Sequence, residues 1–219
     1  MKLALFDLDN TLLDGDSDFE WAQFLIEQGV IDRELYEAKN QHFYDQYKAG
    51  TLDIHEFLDF QLKPLSRHSR KVLDGWHAQF MRDKVQPMMT TAARELAAKH
   101  LEAGDTCVVI TATNSFVTAP IAGAFGIDNL IATEPEQKDG EFTGGVNGVP
   151  SFREGKITRL EQWLAERGWN WDSFEDTTFY SDSLNDLPLL CRVKHPVAVK
   201  PDDTLRAHAE REKWPILDW

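Results

Sequence analysis

Lys2 to Phe6 (KLALF) is an unbroken apolar run, the pattern of a strand buried on both faces. It stops at Asp7-Leu8-Asp9-Asn10-Thr11, a polar cluster that predicts a loop. From Asp18 to Lys84 the period becomes helical. Phe19, Trp21, Ala22, Leu25 and Ile26 form one stripe, ended by Gly29. Further helices are predicted over 32–49, closed by Gly50, over 53–62, stopped by Pro64, and over 69–81. This stretch has no strand pattern. Beyond Pro87 the two periods alternate. A helix over 91–102 stops at Gly104, and TCVVITA (106–112) is a fully apolar strand. The next helix runs to Phe125 and is predicted to start late, because Pro120 suits a first turn. Then follow a strand over 130–133, a Gly-rich hairpin over 141–149, a helix over 157–167, a strand over 177–181, a short helix over 184–190, a strand over 197–199 and a helix over 204–210.

Strands alternating with helices predict an α/β fold, a doubly wound, Rossmann-like parallel sheet covered on both faces. The all-helical stretch interrupts the alternation after the first strand, so it reads as an inserted cap. The expected division is a core of residues 1–13 and 88–219 and a helical cap of 14–87. In open sheets of this kind ligands bind outside the carboxyl ends of the strands.

Length and composition narrow the class. A chain of 219 residues, 42% apolar and 27% charged, makes one globular domain with room for an insertion. Two cysteines, Cys107 and Cys191, cannot form a disulfide framework and fit a reducing, cytoplasmic setting. No apolar run is long enough to span a membrane, and the N-terminus turns acidic too soon for a signal peptide. The net charge of −14 disfavours nucleic acid and anionic lipid as partners. The charge is uneven: Asp14 to Phe60 holds twelve acids against Arg33, Lys39 and Lys48, whereas Gln61 to Gln86 holds six bases against Asp74 and Asp83.

Three polar patches each end an apolar strand. Asp7 and Asp9 are two apart, so an extended backbone would aim both to one side. Two carboxylates at 4 Å repel by roughly 4 kcal/mol at an effective dielectric of 20, which a cation or a shared proton relieves. Ser181-Asp182-Ser183-Leu184-Asn185-Asp186 places two more acids after another strand. Clustered carboxylates of this kind suit Mg²⁺. Thr111-Ala112-Thr113-Asn114 offers hydroxyls and free N–H groups at a strand-to-helix junction, an anion cradle. Taken singly, each patch could be a turn or a helix cap; it is their joint occurrence that points to chemistry.

In this order and context the motifs resemble those of the haloacid dehalogenase superfamily. Asp-Leu-Asp-Asn-Thr-Leu resembles its first motif, Val-Val-Ile-Thr its second, Lys156 in Glu-Gly-Lys-Ile its third, and Ser-Asp-Ser-Leu-Asn-Asp its fourth. A helical insertion directly after motif one resembles the type 1 cap of the phosphoserine-phosphatase-like branch, subfamily IB, some members of which are histidinol-phosphatases. The resemblance implies Asp7 as nucleophile and Asp9 as general acid and base. It implies Mg²⁺ held by the Asp7 carboxylate, the Asp9 carbonyl and the Asp182 carboxylate. Thr111 and the Ala112 N–H would bind phosphate, Lys156 would neutralise Asp7 and the phosphoryl group, and Asn185 would reach the phosphate. Asp186 and Thr11 would support this shell, with Asp186 orienting Lys156 or a metal-bound water. Two departures stand out: Thr111-Ala112-Thr113 where the branch commonly has Ser-Gly-Gly, and Ser181-Asp182-Ser183 where it commonly has Gly-Asp-Gly.

The expected activity is hydrolysis of a small-molecule phosphate ester by a monomer or homodimer. In phosphoserine phosphatases a cap glutamate meets the substrate amine and a cap arginine its carboxylate. Asp16, Asp18 and Glu20 lie near the acidic position, but no arginine matches; Arg33 sits in a polar helix start. An acidic mouth without a carboxylate clamp favours a cationic ester such as histidinol phosphate over phosphoserine. Trp21 and Phe24 could stack on an imidazole or could simply be core. A lipid-phosphate phosphatase would need a basic or apolar approach to the membrane. A phospho-accepting receiver-type signalling domain would need neither Asp9 nor a cap.

Overall fold

The computed structural model describes residues 1–49 and 51–219; Gly50, the expected stop of the second helix, lies outside the described residues. The first strand, β1 (Lys2–Phe6), is the middle of a seven-stranded sheet. The others are β2 (Thr106–Asn114), β3 (Asn129–Lys138), β4 (Glu141–Asn147), β5 (Asp176–Ser181), β6 (His195–Val199) and β7 (Ile216–Leu217). Their order is β4-β3-β2-β1-β5-β6-β7. All neighbours are parallel except β3 and β4; the hairpin expected within 141–149 is corrected, because 141–147 is a single strand whose antiparallel partner is β3.

The apolar run of β1 is apolar because both of its faces are covered. Ala4 and Phe6 pack into one hydrophobic cluster with Val109, and Leu3 and Leu5 into another with Val108 and Ile110. This is the period of two expected of a strand. On the second face lie α8 (Glu154–Glu166), α9 (Leu187–Leu190) and α10 (Asp203–Glu212), through Leu160, Leu164, Leu189 and Leu205. On the first face lie α6 (Thr91–Glu102) and α7 (Ser115–Ala124).

Between β1 and α6 the described chain is helical: α1 (Ser17–Glu27), α2 (Arg33–Ala49), α3 (Ile54–Leu62), α4 (Arg70–Phe80) and the short α5 (Gln86–Met88), the last two joined by a wide turn over Met81–Val85. Asp16 and Asp53 cap α1 and α3 by accepting from backbone N–H groups. Gly29 and Gly104 follow their helices with φ of 71° and 75°, a conformation that suits glycine. Trp21 stacks on Phe24 and meets Phe80 and Phe116 edge-on, tying α1 and α4 to α7.

A further local expectation is corrected. The helix after β2 starts at Ser115, not near Pro120, because Asn114 accepts from Val117 N–H and caps it there. Pro120 therefore sits inside α7 on its exposed side. The polar patch after β1 is the expected loop: within Leu8–Leu12 the backbone leaves the helical path at Asp9, which is extended (φ −70°, ψ 132°), and at Asn10, which takes a left-handed φ of 56°.

Candidate active site

Register brings the patches together. Phe6 pairs with Val109 on β2 and with Tyr180 on β5, so the residues that follow all emerge at one carboxyl edge. Asp7 N–H donates to the Tyr180 carbonyl at 2.9 Å, which carries the ladder one residue beyond β1. The Asp7 carboxylate is buried, and its Oδ1 accepts from Lys156 Nζ at 2.8 Å. Lys156 is 3% exposed, despite its place in the first turn of α8, and its Nζ also donates to Asp186 Oδ2 at 2.7 Å. Of the two expected roles for Asp186, the structure shows the contact to Lys156. Asp186 also accepts from Ser181 Oγ at 2.7 Å. Thr11 Oγ1 donates to Asp182 Oδ1 and accepts from Asp182 N–H, both at 3.1 Å, and lies 3.5 Å from Asp7 Oδ2.

Asp9 has different partners. Its Oδ1 accepts from Ser17 N–H at 2.6 Å, at the start of α1, and its Oδ2 from Thr113 Oγ1 at 2.7 Å. Thr113 was not among the expected site residues; its signal was the hydroxyl where the branch commonly has glycine. Thr111 Oγ1 accepts from Thr113 N–H at 3.2 Å, at the irregular end of β2 that carries Ala112. Asn185 Oδ1 accepts from Arg153 Nε at 2.9 Å, which turns its amide nitrogen away from Arg153.

Charge is crowded here. Burial pushes the Asp7 carboxyl up to about 7, against the pull of Lys156. Burial, then the nearby Asp16, pushes Asp9 up to about 6, against its bonds from Ser17 and Thr113. Burial, then Asp7 and Asp186, raises Asp182 well above the ordinary carboxylate range. Burial works against the Lys156 charge, but Asp186 and Asp7 outweigh it and hold the ammonium protonated. Carboxylates this close raise one another beyond what burial does, and a cation between them would relieve the repulsion. Asp7 and Asp182, linked through Thr11, offer hard oxygen donors, which fit a divalent cation. Among the described residues no three His, Cys, Asp or Glu side chains gather as a ligand cluster. Mg²⁺ keeps waters and phosphate oxygens in its shell, so two carboxylates are compatible with holding it.

The residues expected to read the substrate fare unevenly. Asp16 Oδ1 caps α1, accepting from Asp18 and Phe19 N–H at 2.9 Å. Asp18 Oδ2 accepts from Gln61 Nε2 at 2.7 Å. Glu20 faces Lys84 at 3.6 Å. Trp21 is corrected: it is 4% exposed, with its rings packed among Phe24, Phe80 and Phe116, and Phe24 is 1% exposed. The aromatic stripe of α1 is core because it faces α4 and α7. Arg33 pairs on the surface with Glu37.

The profile of haloacid dehalogenase-like hydrolases matches residues 4–190. A histidinol-phosphatase of Neisseria meningitidis serogroup C (strain 8013) is 49% identical over 219 residues, spanning 100% of this chain and 99% of that protein. A crystal structure of a protein of unknown function from Bordetella pertussis Tohama I is 47% identical with a TM-score of 0.94, covering 99% of this chain and 98% of that one. A substrate-bound phosphoserine phosphatase, 21% identical, shares the fold with a TM-score of 0.68 over 100% of this chain and 93% of its own. The sheet, the carboxylates at its edge and a profile match over most of the chain agree that this protein belongs to the haloacid dehalogenase-like hydrolases.

Proposed function

We propose that the chain is a Mg²⁺-dependent phosphomonoester hydrolase that works through an aspartyl-phosphate and that its substrate is histidinol phosphate. The observation that carries the reaction is the buried Asp7–Lys156–Asp186 bridge beside Asp182. It supplies a nucleophile, a fixed cation and a second carboxylate at one strand edge. Asp7 attacks phosphorus as the bond to the leaving oxygen breaks, and Asp9 gives that oxygen a proton. A carboxyl pushed up to about 6 can hold such a proton near neutrality. Asp9 then takes a proton from the water that cleaves the acyl-phosphate. Lys156 balances charge on Asp7 and the phosphoryl oxygens, while Thr111, the Ala112 N–H and Asn185 bind the phosphate. Mg²⁺ held by the Asp7 and Asp182 carboxylates and the Asp9 carbonyl would let two anions approach.

The helical segment 14–87 acts as a cap over a core of 1–13 and 88–219 and excludes bulk water. The substrate reading rests on the acids at its mouth. Besides burial, the negative charges of Asp16 and Asp9 raise the Asp18 carboxyl, and a cationic substrate group beside these acids would relieve that repulsion. Arg33, spent on Glu37, offers no carboxylate clamp. The relative named histidinol-phosphatase, 49% identical over its whole length, supports the same choice. Two free cysteines fit a reducing, cytoplasmic setting. The test is turnover of a panel of phosphorylated metabolites with Mg²⁺. Histidinol phosphate should lead, and a clear preference for phosphoserine would overturn the substrate assignment.

A further inference from the structure

The two serines that stand where the branch commonly has glycine are both engaged. Ser181 Oγ donates to Asp186 Oδ2 at 2.7 Å and accepts from Ser183 N–H at 3.2 Å. Ser183 Oγ lies 2.7 Å from the hydroxyl of Tyr47, near the end of α2. The same oxygen accepts from Asn185 N–H at 3.2 Å and lies 3.5 Å from Asn185 Nδ2. On the far side of Asn185, Arg153 donates to its Oδ1 while its guanidinium stands 5.0 Å over the Phe152 ring. Phe152 in turn lies 6.4 Å from the Tyr47 ring. Tyr47 thus reaches 136 residues along the chain from the helical segment to the loop after β5.

Two glycines at these positions could make neither side-chain bond. We infer that Tyr47 and Ser183 are positioning residues: docking of the Tyr47 hydroxyl on Ser183 holds α2 over the site and, through Ser183 N–H and Ser181 Oγ, keeps Asp186 aimed at Lys156. This rests on the hydrolase reading given above and adds to it a link between the cap and the catalytic lysine. The link is local and short. Three hydrogen bonds separate the Tyr47 oxygen from Asp186, and one more reaches Lys156. Asn185 is held between the same latch and Arg153, so its amide nitrogen is fixed by the docking as well.

The test is a double-mutant cycle of Tyr47→Phe and Ser183→Ala, each of which removes one oxygen. The readouts are kcat and KM for p-nitrophenyl phosphate with Mg²⁺, deuterium exchange of the α2 amides, and a melting curve to establish that each variant is folded. Each single variant should lose about tenfold in kcat with KM within about twofold, because a misaimed Lys156 weakens the transition state more than the bound ester. The double variant should lose no more than Ser183→Ala alone, since that change already removes the Tyr47 bond along with the bonds to Asn185. Exchange over residues 41–47 should quicken about equally in all three. Full kcat in Tyr47→Phe, or losses that multiply in the double variant, would overturn the inference. If wild type hydrolysed no ester, the hydrolase reading would fall, and unchanged α2 exchange in the variants would separately refute the latch.

Discussion

Gly155 offers a direct way to displace Lys156 without touching its ammonium. A Cβ built on Gly155 would stand 2.1 Å from the Pro150 carbonyl oxygen, whereas ordinary contact begins at 3.4 Å. The obstacle is backbone, so no side chain can swing aside. In Gly155→Ala the start of α8 and the 150–153 turn must separate by more than 1 Å. Lys156 is the next residue, and its Nζ is set by bonds of 2.8 Å to Asp7 and 2.7 Å to Asp186. A misplacement of about 1 Å at a reacting centre costs on the order of a hundredfold in rate. Overpacking of this kind also costs about 1–3 kcal/mol of stability, which for a chain of this size is roughly 2–12 °C in Tm. The assay is kcat for p-nitrophenyl phosphate beside a melting curve. Gly123→Ala serves as the control, because a Cβ there meets nothing within 4 Å and an exposed helical Gly→Ala change is neutral or stabilising. If Gly155→Ala kept more than half of the wild-type kcat, the placement of Lys156 would not govern the reaction and the argument would fail.

Other outcomes follow from the same geometry. Asp7→Asn should leave no turnover in a folded protein, because an amide cannot attack phosphorus; more than a few per cent of wild-type rate would remove the covalent mechanism. Asp9→Asn should fail on an alkyl phosphate and retain more rate on p-nitrophenyl phosphate, whose leaving group needs less protonation; equal losses on both would deny Asp9 the role of acid. Chelation should stop turnover and Mg²⁺ restore it, with Ca²⁺ a poor substitute because its larger shell spoils the in-line geometry; full activity in excess chelator would refute the metal assignment. Asp16→Asn should lower kcat/KM for histidinol phosphate several-fold more than for p-nitrophenyl phosphate; equal losses would leave Asp16 as the α1 cap alone.

What the chain discloses before folding divides along a physical line. The unbroken apolar runs of β1 and β2 are local patterns, and they locate the central strands and the patches that end them. Lys156 is legible as the match to the third motif, and the structure puts it in the first turn of α8, where a cation opposes the helix dipole and so calls for a reason. That reason, burial between Asp7 and Asp186, depends on residues 149 and 30 positions away. The contacts that sequence did not disclose are of this long-range kind. Thr113 meets Asp9 only because β1 and β2 are neighbours. Tyr47 reads as one more aromatic residue in a polar helix until α2 meets the loop after β5. Trp21 and Phe24 could be core or ligand contacts by spacing alone, and the packing of α4 and α7 against α1 decides for core. Pro120 misplaced the start of α7 because a proline signals a helix start only weakly beside a well-formed Asn114 cap.

The crowded carboxylates that make the site also oppose the fold, and this gives a final prediction. The Asp7 carboxyl is raised from 3.8 to about 7 and Asp9 from 3.8 to about 6. A carboxyl whose pKa is higher in the folded protein than in the unfolded chain contributes stability below the unfolded value and loses it as pH rises through the folded one. For Asp7 that window runs from about pH 4 to about pH 7. Asp7→Asn, whose amide mimics the protonated acid, should therefore be more stable than wild type at pH 8 in chelator, seen as a higher Tm. The gap should close towards pH 5, where wild-type Asp7 takes up its own proton. The buried His77, lowered by desolvation, weakens both proteins alike as pH falls and cancels in the difference. Mg²⁺ requires ionised carboxylates, so it should raise the wild-type Tm more at pH 8 than at pH 5, and should do little for Asp7→Asn at either pH. A wild type as stable as Asp7→Asn in chelator at pH 8 would mean that Lys156 alone neutralises Asp7. The cation would then be unnecessary to the resting site, and the case for it would rest on turnover alone.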